Sequence, residues 1–145
     1  MKSITSNLIR ISALLLVIAI FVSCKPRTKY DNYFKIGENV YEITHGGFIN
    51  KGETEGGFKL DLRLYGEAGS NFLSFNIVSS QAENIPSSTY KNFEGAWVLG
   101  HTETGGYTDR ADINIGKLVI GRSSDGYSIE IKCTDQYSTV IKGRF

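Results

Sequence analysis

Phe58-Lys59-Leu60-Asp61-Leu62-Arg63-Leu64-Tyr65 alternates apolar and polar side chains without a break. Successive side chains of a β-strand point to opposite faces. This run therefore puts Phe58, Leu60, Leu62 and Leu64 on one face and a largely charged set on the other. The same period of two recurs in Leu73, Phe75 and Ile77 and in Ile113 and Ile115, then continues through Lys117–Ile120, Tyr127–Cys133 and Ser138–Phe145. With shorter runs at Val40–Thr44 and Ala96–Leu99, seven or eight strands are expected. Turn signals separate them: Gly46-Gly47, Gly56-Gly57, Gly66 to Gly69, Gly105-Gly106 and Ser123-Ser124-Asp125-Gly126. Asp-Gly between two alternating runs is a strong hairpin signal. At most one short helical turn, near Gln81–Tyr90, fits between the runs.

A sheet with one apolar face must bury it against another sheet or against itself. The expected fold class is therefore all-β, either an antiparallel β-sandwich or a small up-and-down, lipocalin-like barrel. Ser138–Phe145 also resembles the closing strand of an outer-membrane barrel. Its Val140 face, however, carries Lys142 and Arg144, which a lipid-facing surface excludes.

Upstream the pattern changes. Lys2 and Arg10 precede Ile11–Val22, a stretch in which Ser12 is the only polar residue. It falls well short of the about 20 apolar residues that span a bilayer, so it reads as the core of a signal peptide. Phe21-Val22-Ser23-Cys24 resembles a lipobox, with Phe21 where leucine is usual. Resemblance to bacterial lipoproteins implies cleavage before Cys24, acylation of its thiol with palmitate-type chains, and attachment to an envelope membrane. Two or three acyl chains hold durably where one is marginal. The expected boundaries are a signal peptide over 1–23, the lipidated Cys24 with a flexible basic tether over 24–36, and the all-β domain over 37–145. An ordinary secreted protein and a retained membrane helix are the alternatives.

Removing residues 1–23 from the 145 leaves 122, enough for one domain that folds without metal or disulfides. Formal charge falls from +1 to −1 when Lys2 and Arg10 are lost, so nucleic acid is not an expected partner. With Cys24 committed to lipid, Cys133 is unpaired. Its place on one face with Tyr127, Ile129 and Ile131 puts it in the core.

Further motifs lie downstream of the lipobox: Tyr41-Glu42-Ile43-Thr44, Ile85-Pro86-Ser87-Ser88-Thr89-Tyr90, Gly116-Lys117-Leu118-Val119-Ile120, Tyr127-Ser128-Ile129-Glu130-Ile131 and Ile141-Lys142-Gly143. Together with the short tether they look like the small lipoproteins of Bacteroidetes-type bacteria. That resemblance implies a sandwich or lipocalin-like domain in the cell envelope and carries over no catalytic residues.

No Gly-x-Ser-x-Gly elbow, phosphate cradle or paired metal-ligand spacing is present, so neither a catalytic constellation nor a cofactor is expected. His45 and His101 stand far apart in the chain as turn histidines, and Glu53 and Glu55 as hydrated turn carboxylates. The loop Gly100 to Asp112 is the most unusual segment, and His101, Glu103, Tyr107, Asp109 and Asp112 are its ligand-binding candidates. Asp109 and Asp112 with Asn114 also offer oxygen ligands for calcium, without the spacing of a known calcium loop. Trp97 is expected in the core, whereas an exposed Tyr65 or Tyr107 would stack on a sugar ring.

Three functions remain at this level. One is a non-catalytic binding or accessory domain for an envelope protein, a glycan or a small apolar molecule. The small-molecule form calls for a cavity lined by Leu60, Leu62, Phe75 and Ile115. Another is an assembly component pairing through an edge strand, with Ser138–Phe145 as that edge. The last is an enzyme or enzyme inhibitor using the 100–112 loop.

Overall fold

The computed structural model describes residues 30–145; the expected signal peptide and Cys24 lie outside the described residues. Ten strands follow one another: β1 (Tyr33–Ile36), β2 (Asn39–Glu42), β3 (His45–Thr54), β4 (Gly57–Tyr65), β5 (Phe72–Ser79), β6 (Ser88–Tyr90), β7 (Glu94–Leu99), β8 (Asp109–Ser123), β9 (Gly126–Asp135) and β10 (Val140–Arg144). Among the described residues the sole helical turn is a 3-10 turn at Glu67–Gly69, not near Gln81. There, Ser88–Tyr90 is extended and pairs with the second half of β8.

All ladders are antiparallel, in the order β2-β1-β10-β9-β8-β7-β5-β4-β3. This is an up-and-down meander whose first two strands join the far side beside β10. The outermost strands, β2 and β3, are consecutive in sequence and linked only by Ile43-Thr44. Ile43 N donates to Asn32 O at 3.0 Å and Thr44 N to Tyr65 O at 2.9 Å, so this link ties the two edges together at one corner. The result is a sheet curled into a half-barrel, all-β as the alternation requires, with ten strands rather than seven or eight.

Alternate residues of each strand line the inside of the curl. Leu60, Leu62 and Leu64 of β4 meet Leu73, Phe75 and Ile77 of β5. Trp97, Ile113, Leu118, Ile129, Ile131, Ile141, Phe34 and Ile36 complete the core. Full burial of one such side chain is worth about 1.5–3 kcal/mol. Trp97 satisfies its buried indole by donating to Asp135 Oδ2 at 2.9 Å. Asp135 is itself buried, which works to raise its pKa, yet the bonds it accepts from Trp97, Thr139 and Tyr137 hold it below the usual carboxylate value.

Several sequence expectations need correction. Tyr33–Ile36, assigned to the tether, is β1, paired with β10 on one side and β2 on the other, so the folded domain starts earlier than residue 37. β10 lies between β1 and β9, so Ser138–Phe145 is not a free edge. Gly46-Gly47 is no turn but sits inside β3, opposite Leu64 and Arg63. Ile115 does not face the core with Ile113: it is 72% exposed. The β8–β9 register slips between these two residues, a bulge that inverts the phase of β8, so that Ala111 and Ile113 point inward before it and Leu118 and Ile120 after it. Finally, outward positions carry Lys59, Asp61 and Arg63 on β4 and Glu130 and Lys132 on β9. The described strands therefore present no unbroken apolar band to lipid.

Candidate functional site

The candidate loop is shorter than its sequence suggests, because β8 already begins at Asp109. His101, Glu103 and Tyr107 are exposed in the connection from β7 to β8. Asp109 and Asp112 belong to β8 and, being three residues apart on a strand, point to opposite faces. Asp112 Oδ1 accepts a bond from Arg110 Nη2 at 3.1 Å on the outer face. Asp109 lies on the other side, where its charge adds to burial in raising the pKa of Tyr41. The five candidates therefore do not converge. Among the described residues no group of three or more His, Cys, Asp or Glu side chains is placed to hold a metal ion.

The structure does bring the two histidines onto one row that the sequence did not reveal. His45 opposes Tyr65 and Tyr65 opposes Phe72 across β3, β4 and β5. The His45 ring stacks on Tyr65 with centroids 4.8 Å apart, and His101 meets Phe72 edge-on at 5.6 Å. Arg63 covers Phe72, with its guanidinium 5.7 Å from the ring centroid, and donates from Nε and Nη2 to the buried Asp61 Oδ2 at 3.0 and 2.8 Å. Tyr65 is thus already covered by an imidazole. Thr44 Oγ1 lies 3.0 Å from His45 Nδ1 and within 3.3 Å of the Tyr65 and Gly66 carbonyls. These contacts fix the β2–β3 corner.

A different kind of site lies inside the curl. Below the short strands β1, β2 and β10, the edge strand β3 faces β9 across a cleft of about 430 Å³. Leu62 and Leu64 form one wall, Ile120 and Ile129 the other, with Phe48, Ile85, Tyr127 and Phe145 around the opening. Phe48 and Tyr127 meet edge-to-face at 6.4 Å across it, so side chains rather than backbone bonds hold the seam. Tyr127 is fixed in turn, because its hydroxyl accepts from Ile85 N at 3.2 Å and Arg122 stands 6.0 Å over its ring. Gly46 explains how β3 approaches so closely: a Cβ there would lie 2.8 Å from Leu64 Cδ2 and 3.2 Å from Phe145 Cε1. Asp125 is the one charged side chain on the lining.

Of the cavity residues expected from sequence, only Leu62 lines this cleft. Leu60 and Phe75 are buried in the filled part of the core, and Ile115 is outside. The missed signals were Gly46, read as turn chemistry, and Phe48, in a run with no clear alternation. Two larger depressions among the described residues are grooves on the outer face. One runs over β5, β7 and β8 past Arg110 and Asp112, the other over β8, β9 and β10 past Glu130 and Lys132. Comparison with known proteins finds no matching family model, no matching curated protein and no matching solved structure.

Proposed function

We propose that the chain is a membrane-anchored envelope lipoprotein whose β-domain is a non-catalytic binding module, and that the cleft between β3 and β9 is its site for a small apolar ligand. The cleft carries this reading. Its volume falls in the range of small-molecule sites, about 300–1,000 Å³, and its walls are aliphatic and aromatic with a single charge at the rim, the composition such sites favour. The lipobox-like Val22-Ser23-Cys24 supports the anchor, and the candidate residues of the 100–108 connection offer no converging acid, base or nucleophile.

Assembly through an edge strand is the second reading, and it now falls on β3. That strand has ten residues, nearly all exposed, and pairs only with β4. A bulge between Asn50 and Glu53 and the charges of Lys51 and Glu53 blunt it, as edge strands that avoid pairing are blunted. Apolar binding therefore ranks first.

Two measurements test the proposal. Intact mass of protein made in a bacterial host, beside Cys24→Ala, is expected to give a species starting at residue 24 with added acyl mass; an unmodified chain removes the anchor. Binding of 1-anilinonaphthalene-8-sulfonate, with decanol as competitor, is expected to be saturable at one site. Phe48→Trp, which narrows the opening, should weaken it about tenfold or more, and Phe145→Ala, which widens it, should change the preferred alcohol length. Binding that ignores both substitutions refutes the cleft as the site.

A further inference from the structure

The described residues are acidic as a whole, with eleven Lys and Arg against fifteen Asp and Glu. One face runs against that balance. Ladder registers place Lys35 opposite Lys142, Lys142 opposite Lys132, and Lys132 opposite Lys117. Four lysines thus stand in one row across β1, β10, β9 and β8, on the outward side of the sheet. Neighbouring strands are about 4.8 Å apart, so the row is about 15 Å long. Like charges directly opposite one another destabilise a strand pair, and folding alone offers no reason to align four.

The surroundings add to the row rather than cancel it. Arg144 lies one row further, 5.6 Å over the Tyr33 ring, with its Nε donating to Asp31 O at 2.8 Å. Glu130 partners Lys132 at 2.6 Å, Glu42 and Asp31 lie beside the row, and Arg110 and Asp112 further along β8 pair with each other, so cations outnumber anions around the row. On the opposite flank the next row is Ile115-Thr134-Val140, in which Ile115 is 72% and Val140 48% exposed. Tyr137, 69% exposed, tips the adjoining β9–β10 turn. Cations beside exposed aliphatic side chains and a tyrosine make the composition of a surface that rests on anionic headgroups and dips apolar groups between them.

We propose that this face of β1, β10, β9 and β8 docks on an anionic bilayer surface, with Lys35, Lys142, Lys132 and Lys117 over the headgroups and Ile115, Val140 and Tyr137 at the interface. The inference does not rest on the cleft or on acylation. Its geometry suits a domain held near a membrane, since β1 is the first strand after the basic run Lys25, Arg27 and Lys29.

The test uses the full chain carrying Cys24→Ala, so that no acyl chain contributes, and measures its partition onto phosphatidylcholine vesicles with and without phosphatidylglycerol. The apolar segment before residue 24 is common to every protein compared, so the lysine row is read as a difference between variants. Lys117→Gln, Lys132→Gln and Lys142→Gln together are expected to lower partition onto the anionic vesicles by about fivefold per lysine, roughly 100-fold in all, and to leave the neutral vesicles unaffected. Ile115→Ser is expected to weaken the anionic partition further. A thermal unfolding midpoint that does not fall in the triple variant shows that the fold is intact. No loss of anionic partition in the triple variant, or an equal loss on both vesicle types, overturns the proposal. So does loss of dextran sulfate binding with vesicle partition unchanged, which assigns the row to a soluble polyanion.

Discussion

Cys133 sits on β9 with its side chain turned into the core, 3.8 Å from the Lys117 carbonyl across β8. Burial pushes its thiol up to about 11, because the thiolate would have to form where water cannot reach it. At neutral pH it is therefore a thiol, packing like a small apolar group, and a poor nucleophile. We expect iodoacetamide to leave it unmodified in the folded chain at pH 8 and to label it at once in denaturant. Rapid labelling of native protein contradicts this placement. A sign follows for stability. The folded state keeps the proton longer than the unfolded chain, so the advantage is complete below the unfolded value near 9. It declines as pH rises toward 11, and unfolding midpoints should drop across that window. The placement was legible in sequence, since Ile129, Ile131 and Cys133 share one unbroken period of two.

Strand β8 shows where such reading stops. Its sequence holds two clean alternations, Ala111 with Ile113 and Leu118 with Ile120, but these are out of phase with each other. Only a bulge at Asn114 reconciles them, and a pattern that tests each run separately places Ile115 inside, where the structure has it outside. The same slip lets one strand serve two neighbours, β7 along its first half and β6 along its second. Gly116 follows the bulge with φ +149°, and a Cβ there would stand 2.5 Å from both Cys133 Cα and Lys132 O. Deleting Asn114 should thus remove the extra residue and run β8 in plain alternation against β9, with Ile113, Leu118 and Ile120 still inward, Ile115 and Lys117 still outward, and cooperative unfolding retained. Gly116→Ala should cost about 2–4 kcal/mol by combining backbone strain with a backbone clash. Thermal melts of both variants decide the matter, and a deletion that abolishes cooperative unfolding rules out Asn114 as the extra residue that sets the face. The five loop candidates failed for a related reason. Their density of polar groups was visible, but which face of β8 Asp109 and Asp112 take depends on where the strand starts.

Whole-molecule shape is set by a contrast between strands that close the curl and strands that leave it open. Alternation and hairpin signals gave an all-β meander, but they carry no information about closure, which depends on distant pairs: Ile43-Thr44 on Asn32 and Tyr65 at one corner, Phe48 on Tyr127 and Phe145 over Gly46 along the seam. Backbone ladders join the neighbouring strands, whereas the seam between β3 and β9 is held by side-chain packing. Opening it breaks side-chain packing but no β-ladder, so it should open locally at a lower free energy than global unfolding. Hydrogen exchange by mass spectrometry should therefore find β4, β5, β8 and β9 slowest, with the seam half of β3 exchanging well before them. Phe145→Ala should speed exchange over residues 45–50 by about tenfold or more and leave β5 unchanged, since β5 lies far from the seam in the ladder order. A bound alcohol should slow the same segment, because a ligand that fills the cleft must be released before β3 moves away. Uniform acceleration across the sheet would mean instead that the seam and the core open as one unit, and the cleft would then be a feature of packing with no independent motion to admit a ligand.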